Sequence, residues 1–332
     1  MMNRLSMAVW LACAAITAVP LAAAAPKVTA PRVMGVGPEP QLEDRFPQQP
    51  IAFPKGVTAW RDVTYQVQPG FRPQIVDIYV PKGKGPHPLV LYVHGGGWMG
   101  GHTRQSGAFE NFPQMLAAFA AEGFTVASVE YRLSGEAPFP AQSRDVNAAL
   151  RFLREHAGQY RIDPERVGVF GGSAGGHLAA MAGLACRETA LDPASAQDHC
   201  VQAVASWYGI FDMATLPRKG IAGSAEQRLM GCKEGGCADE TLRAASPLTY
   251  LDPKDPPFLL IHGIDDKVVP VGQTQQAEAA FKAAGVPVEA IYYPATDHSF
   301  IGKNADDTRK ASLAAMNATF DFFHEKLGVP RR

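Results

Sequence analysis

The sequence Gly171-Gly172-Ser173-Ala174-Gly175 follows an apolar run at residues 167–170 and precedes a helical pattern. A serine at a sharp turn from a strand into a helix needs glycines two positions before and after it, because side chains there would crowd the turn. Its hydroxyl projects beside the helix N-terminus, where developing negative charge is stabilised. The position of this sequence therefore predicts a nucleophilic serine, Ser173, and a fold in which strands alternate with helices.

Apolar runs on both sides of this sequence predict the rest of the sheet. Residues 57–67 and 74–80, separated by Pro69-Gly70, predict an antiparallel hairpin. Further strands are predicted at residues 89–93, 124–129, 167–170, 201–207, 258–261 and 288–293, with helices at 114–121, 141–156, 177–186, 273–284 and 308–326. Continuous apolar strands separated by helices indicate an α/β fold with a mostly parallel central sheet covered by helices on both faces.

The first residues predict a cleaved export signal. Arg4 precedes an almost wholly apolar segment, and small residues follow at positions 22–25. We therefore expect residues 1–25 to be a signal peptide and the protein to be periplasmic or secreted. An N-terminal anchor helix is the alternative, but the apolar segment is shorter than the roughly 20 residues that a membrane span needs. Residues 26–56, rich in proline and glycine, predict an extended arm, and residues 57–332 predict one catalytic domain.

The composition suits a soluble globular enzyme. The chain has 332 residues, of which 46% are hydrophobic and 19% charged. A net charge of −1 and a pI near 6.8 provide no basic field for nucleic acid and no polybasic patch for a membrane surface. We therefore expect no nucleic-acid partner and no stable membrane span. The sequence gives no indication of the oligomeric state.

Four cysteines follow the predicted signal: Cys186, Cys200, Cys232 and Cys237. An even number in an exported chain favours two disulfides, and proximity favours 186 with 200 and 232 with 237, although four cysteines allow three pairings. A zinc site is the weaker alternative, because neither a CxxC pair nor an HxxxH spacing accompanies them. The second pair lies within residues 209–256, an unusually long connection that predicts a lid-like insertion.

A second glycine-rich sequence, His94-Gly95-Gly96-Gly97-Trp98, directly follows the strand at residues 89–93. Glycines leave backbone N–H groups free to point at a substrate oxyanion. Such a loop forms an oxyanion hole together with the N–H that follows the nucleophile, here that of Ala174. A phosphate-binding loop is disfavoured because no Lys-Ser or Lys-Thr follows. We interpret His94 as a structural residue.

A nucleophilic serine needs a base, and the base needs an orienting carboxylate, in the chain order Ser, Asp or Glu, His. Asp266 follows the strand at residues 258–261, and His298 follows the strand at 288–293. Both therefore lie beyond carboxyl ends of strands, where the sites of open α/β sheets form. Asp265 is the alternative acid. Asp297 is disfavoured, because a residue adjacent to the base rarely points its carboxylate back at the imidazole.

These sequences resemble the hormone-sensitive-lipase-like esterases of the α/β-hydrolase superfamily, and especially their bacterial feruloyl-esterase-like branch. The resemblance covers most of residues 60–325 and includes the sequences at 94–98, 130–132, 171–175 and 262–266. It implies a triad of Ser173, Asp266 and His298, with oxyanion donors at Gly96, Gly97 and Ala174. Two features depart from the wider family: Gly172 stands where many members carry Asp or Glu, and the loop at residues 133–138 is a variant.

The resemblance implies a serine carboxylic-ester hydrolase that forms an acyl-enzyme from small short-chain or aryl esters of the acetyl or feruloyl type. This mechanism needs no metal and no organic cofactor. A serine peptidase or amidase of the same fold is the alternative. A non-catalytic binding protein is a third possibility, disfavoured because every triad position is filled. Candidates for the substrate pocket are Trp98, Trp207, Tyr208 and Phe300, for each of which packing in the core is an equally good interpretation.

Overall fold

A nine-stranded sheet forms the centre of the computed structural model, which describes residues 49–196, 200–217, 221–232 and 236–331. The predicted signal peptide and residues 26–48 of the predicted arm lie outside these residues. The strands are β1 (Ile51–Ala52), β2 (Thr58–Gln66), β3 (Gln74–Val80), β4 (His87–Val93), β5 (Thr125–Val129), β6 (Ile162–Gly172), β7 (Ala203–Trp207), β8 (Phe258–Gly263) and β9 (Val288–Tyr293). The short strand β1 falls within the predicted arm and pairs with β2.

Helices connect most of these strands. They are α1 (Phe112–Ala121), α2 (Ala141–Glu155), α3 (Ala157–Tyr160), α4 (Ala174–Leu184), α5 (Ala225–Met230), α6 (Asp239–Ala244), α7 (Gly272–Ala284) and α8 (Ala305–Lys326). Helix α4 begins three residues earlier than the sequence predicts, directly after Ser173. The described ranges contain no helix with the length and apolar character that crossing a membrane requires.

The sheet is mostly parallel, and the predicted hairpin is present. Its strand order is β1-β2-β3-β5-β4-β6-β7-β8-β9. The pairs β1–β2, β2–β3 and β3–β5 are antiparallel. All pairs from β5 through β9 are parallel. The predicted fold class, an α/β-hydrolase fold, is confirmed.

Both faces of the sheet are covered, which explains why its strands are apolar without alternation. In β4, Leu89, Leu91 and Val93 belong to a core cluster with residues of α2, α4 and α7. The intervening Val90 and Tyr92 belong to a second cluster with residues of α1 and α8. Successive side chains of a strand point to opposite faces. The sheet is therefore the middle layer between two groups of helices.

The strand order reverses at β4, and this reversal places the site. From β4 the chain passes through α1 to β5 on one side, and it returns through α2 to β6 on the other. The connections that leave the carboxyl ends of β4 and β6 therefore diverge, and a crevice forms between them, as in other open α/β sheets. The glycine loop after β4 and the serine turn after β6 are the two walls of this crevice.

Both favoured disulfide pairings are present. Cys186, just after α4, bonds to Cys200, just before β7. Cys232 bonds to Cys237 within the connection between β7 and β8. That connection, the predicted lid-like insertion at residues 209–256, also holds α5, α6 and two short 3-10 turns at Met213–Thr215 and Pro247–Tyr250.

Candidate active site

Ser173 occupies a strained turn between β6 and α4. Its backbone angles are φ 57° and ψ −123°, and its N–H donates to the carbonyl of Trp207 at 2.9 Å. Non-glycine residues rarely adopt a positive φ, and such strain clusters at functional sites. A Cβ on Gly171 would lie 2.5 Å from the Val93 carbonyl, and one on Gly175 would collide with the same oxygen. Both glycines are therefore required because the turn packs directly against the end of β4.

His298 and Asp266 form a hydrogen-bonded pair. Nδ1 of His298 donates to Oδ2 of Asp266 at 2.8 Å. A carboxylate can only accept, so this bond fixes the proton on Nδ1 and leaves Nε2 as the nitrogen able to take a proton. His298 and Ser173 line the same cavity.

The surroundings of Asp266 keep it ionised. Oδ1 accepts the N–H groups of Val268 and Val269 at 2.8 Å each, and Nε2 of His262 lies 3.2 Å from Oδ2. Burial alone would raise the pKa of Asp266, but hydrogen bonds from His262 and His298, the charge of His298 and the Val269 N–H together lower it well below its ordinary value. His262 is itself held by Thr274 through Nδ1, at 2.7 Å. Asp266 can therefore orient His298 and stabilise its imidazolium.

The two other candidate carboxylates are placed differently. Asp265 is exposed, and its backbone N–H donates to the Thr296 carbonyl of the neighbouring turn at 3.0 Å. Asp297 does not bond to the imidazole. Its Oδ1 accepts the backbone N–H groups of His298, at 2.7 Å, and of Lys267, at 2.9 Å. The geometry thus brings Asp266, and not either neighbour, to the ring of His298.

The glycine loop after β4 adopts positive φ angles that favour glycine. Gly96 and Gly97 have φ of 105° and 59°, and both residues line the cavity. Ala174 is the first residue of α4, so its N–H has no acceptor within the helix. The three predicted oxyanion donors thus lie on the two elements that flank the crevice. His94 is buried and stacks on Tyr131 with ring centroids 4.3 Å apart, and burial lowers its pKa to about 4.

The cavity around Ser173 measures about 440 Å³. Its lining residues come from the carboxyl ends of β4 and β6 and from the segments that follow β4, β6, β7, β8 and β9. Most are small or polar: Tyr92, His94, Gly95, Gly96, Gly97, Gly100, Gly101, Gln105, Ser106, Gly107, Gly172, Ser173, Tyr208, Val268, His298 and Ser299. Gln105, Ser106 and Ser299 are not among the site residues predicted from the sequence. Ser299 adjoins the predicted base, which was the only signal that could have indicated it.

Of the four aromatic pocket candidates, only Tyr208 lines the cavity. Trp98, Trp207 and Phe300 are each at most 2% exposed. Trp98 donates its indole N–H to Nδ1 of His177, and Trp207 donates to Oγ1 of Thr319. These three residues therefore do not line the cavity, and the other interpretation, packing in the core, is correct for each of them. They belong to the core, because each indole N–H finds a partner there and Phe300 packs on Trp207.

Tyr208 accounts for the departure at Gly172. A Cβ on Gly172 would lie 2.7 Å from the Tyr208 hydroxyl and 2.9 Å from its ring. The Tyr208 ring also contacts the rings of His298 and Phe300, with centroids 4.7 and 4.8 Å away. In this chain an aromatic ring thus occupies the space in which a side chain at residue 172 would begin.

A doubly covered, mostly parallel sheet with a serine at a sharp strand-to-helix turn and a His–Asp pair at its carboxyl edge is typical of the α/β-hydrolases. Within that class the chain belongs to the BD-FAE family, whose model matches residues 76–281.

Known proteins that are similar to this chain carry esterase names. Esterase LipQ of Mycobacterium tuberculosis is 31% identical over 245 residues, which are 70% of this chain and 55% of that protein. Esterase LipC of the same organism is 30% identical over 68% of this chain and 57% of its own length. The chain spans about half the length of these curated relatives. A solved structure, a truncated carbohydrate esterase from gut microbiota, superposes with a TM-score of 0.69 at 28% identity, covering 82% of this chain and 96% of that one.

Proposed function

We propose that this protein is a serine carboxylic-ester hydrolase with Ser173 as nucleophile, His298 as base and Asp266 as acid. The observation that carries the proposal is the 2.8 Å bond between His298 and Asp266 at a cavity that the strained Ser173 also lines. A strained serine beside an oriented, cavity-facing histidine is the arrangement that acyl transfer needs. The esterase names of similar proteins support the same assignment.

The proposed mechanism has two acyl-transfer steps. Ser173 attacks the ester carbonyl while Nε2 of His298 takes its proton, and Asp266 stabilises the imidazolium. The N–H groups of Gly96, Gly97 and Ala174 bind the oxyanion of the tetrahedral intermediate. His298 then protonates the departing alcohol, and water hydrolyses the acyl-enzyme by the same route.

The substrates we propose are small esters with short or aryl acyl groups, of the acetyl or feruloyl type, met outside the cytoplasm. The cavity of about 440 Å³ is large enough for such esters. Hydroxyl and amide groups from Gln105, Ser106, Tyr208 and Ser299 on its wall suit a polar alcohol portion. Two disulfides support an oxidising location. Turnover of simple short-chain esters without turnover of methyl ferulate or acetylated xylan would contradict the proposed substrate class.

Hydrolysis of p-nitrophenyl acetate by the wild type and by Ser173→Ala tests the proposed chemistry. We expect kcat/KM to fall by about 10⁴-fold or more in the variant, because loss of the nucleophile removes covalent catalysis. Ser312→Ala is the matched control. Ser312 lies on α8, does not line the cavity, and within the described ranges its hydroxyl has no partner to lose. Equal activity of wild type and Ser173→Ala would exclude Ser173 as nucleophile, and cleavage of p-nitroanilides in preference to esters would favour an amidase.

A further inference from the structure

Asp297 joins the two turns that carry the proposed acid and base. The acid turn, residues 264–269, follows β8, and the base turn, residues 294–301, follows β9. Oδ1 of Asp297 accepts the N–H of Lys267 from the acid turn and the N–H of His298 from its own turn, at 2.9 and 2.7 Å. One carboxylate oxygen therefore holds two backbone N–H groups: that of the residue directly after Asp266, and that of His298 itself.

We infer that Asp297 is a positioning residue, which fixes the base turn against the acid turn so that His298 and Asp266 meet at hydrogen-bond distance. The inference rests on the proposed function, since it takes His298 as the base and Asp266 as the acid. The Asp297 carboxylate is not bonded to the imidazole, and Asp297 is not among the residues that line the cavity. It acts through the backbone N–H groups of Lys267 and His298.

The base turn needs such support because its backbone is strained. Ala295, Ser299 and Phe300 have φ of 52°, 60° and 59°, although none is glycine. Non-glycine residues with a positive φ persist only where the surrounding structure holds them. The turn is closed by the Asp297 N–H, which donates to the Ile301 carbonyl at 2.7 Å. The Asp297 side chain then anchors this closed turn to the acid turn.

The backbone contacts between the turns lie away from the imidazole. The Ile264 N–H donates to the Tyr293 carbonyl at 2.9 Å, and the Asp265 N–H donates to the Thr296 carbonyl at 3.0 Å. These bonds join the first two residues of the acid turn to the last residue of β9 and to Thr296. The Asp297 contacts are made one residue after Asp266 and at His298, and they therefore control the two positions that the acid–base pair requires.

The hydrogen bonds of Asp297, and not its ion pair, carry this role. Nζ of Lys267 lies 3.2 Å from Oδ2, but the Lys267 side chain is 82% exposed. Exposed ion pairs contribute little, because water screens them and a long side chain must be ordered. Hydrogen bonds from backbone N–H groups to a carboxylate are stronger and directional. Removal of the lysine side chain should therefore leave both hydrogen bonds of Asp297 intact.

Four variants of the full chain separate these contributions. Asp297→Ala removes both hydrogen bonds, and Asp297→Asn removes the charge but keeps an oxygen able to accept both amides. Lys267→Ala removes only the ion pair. Asp297→Ser, whose shorter side chain reaches the His298 N–H alone, keeps the inference testable if Asp297→Ala fails to fold.

Two measurements apply to every variant: kcat and KM for p-nitrophenyl acetate, and the low-field proton resonance of the Nδ1–H of His298, assigned by its loss in Asp266→Asn. We expect Asp297→Ala to lower kcat by about 10²-fold with KM within about twofold, since displacing a catalytic group by about 1 Å costs that much. Asp297→Ser should lie between it and the wild type. Asp297→Asn should stay within about fivefold of the wild type, and Lys267→Ala within about twofold. The resonance should be shifted or lost in Asp297→Ala and retained in Asp297→Asn and Lys267→Ala.

An unchanged kcat and an unchanged resonance in Asp297→Ala or Asp297→Ser would overturn the inference. Equal losses in Asp297→Asn and Asp297→Ala would also overturn it, because they would show that the charge matters and the position does not. The resonance reports the His298–Asp266 bond without any substrate. A failure of the proposed esterase function, seen as an inactive wild type, is therefore distinguishable from a failure of Asp297 as a positioning residue.

Discussion

At the scale of single residues, the acid of the proposed triad is selected by its surroundings. Asp265 and Asp266 are adjacent and both follow β8, so sequence position alone leaves either available. Folding buries Asp266 to 9% exposure, gives one of its oxygens two backbone donors and directs the other to His298. Asp265 stays exposed. A buried carboxylate with satisfied lone pairs holds its orientation, whereas an exposed one does not.

We expect Asp266→Asn to lower kcat by about 10⁴-fold at pH 7, because an amide nitrogen facing Nδ1 forces the wrong imidazole tautomer. Asp265→Asn, a change of the same size one residue away, should leave kcat within about twofold of the wild type. Steady-state hydrolysis of p-nitrophenyl acetate by both variants measures the difference. Comparable losses in the two would mean that the acid turn, and not one carboxylate, sets the activity.

At the scale of elements, helix α4 packs directly against the sheet, because its small residues allow a close approach. Every residue from Ala174 to Leu184 is buried, and the helix packs against β6 and β7 with glycine at three positions. A Cβ on Gly176 would lie 2.8 Å from Oγ of Ser206, and one on Gly183 would lie 2.7 Å from Cγ2 of Val204. Small residues thus let the helix that begins directly after Ser173 pack closely on the sheet.

Gly183→Ala sets two effects against each other. Alanine in a helix interior is favoured over glycine by about 1 kcal/mol. The new Cβ would meet Val204 at 2.7 Å and Phe258 at 3.1 Å, and overpacking of this kind costs about 1–3 kcal/mol. We expect packing to prevail, so that the free energy of unfolding falls in denaturant titrations.

Gly158→Ala, in a different helix, is the matched control for Gly183→Ala. Gly158 lies in α3, and nothing is within 4 Å of the position a Cβ would take. This substitution should therefore raise the free energy of unfolding slightly or leave it unchanged. If Gly183→Ala is as stable as Gly158→Ala, α4 has room to move away from the sheet, and its glycines are not required for packing.

At the scale of the whole molecule, the sequence predicts what local chemistry determines. Apolar runs predict eight of the strands, and the glycines around Ser173 predict the sharp turn between β6 and α4. The sequence does not predict the short helices α3, α5 and α6 or the strand β1, because stretches of two to six residues carry too little periodicity. The sequence also does not predict which residues line the cavity. Whether an aromatic residue faces a cavity or the core depends on which segments meet in space, as Trp98 and Tyr208 demonstrate.

Two buried histidines make the stability of the whole fold depend on pH. Burial lowers the pKa of His94 and of His177 to about 4. His177 is held neutral between the indole N–H of Trp98 and the carbonyl of Ala245. In the unfolded chain both histidines would titrate near 6.5. Between pH 6.5 and 4 the unfolded state therefore binds more protons than the folded state, and the free energy of unfolding decreases as the pH falls through this window.

We expect Tm to fall by roughly 5 °C between pH 7 and pH 5 at constant ionic strength, since each histidine costs about 2 kcal/mol over that range. Asp255 opposes this change, because burial raises its pKa to about 6 and the folded state binds its proton first. Asp255→Asn should therefore steepen the decrease. Calorimetry of both proteins across this range measures the slopes. A wild-type Tm that stays level or rises towards pH 5 would show that the folded protein accommodates a charged His94 or His177. The contacts of His177 with Trp98 and Ala245 would then not depend on a neutral imidazole.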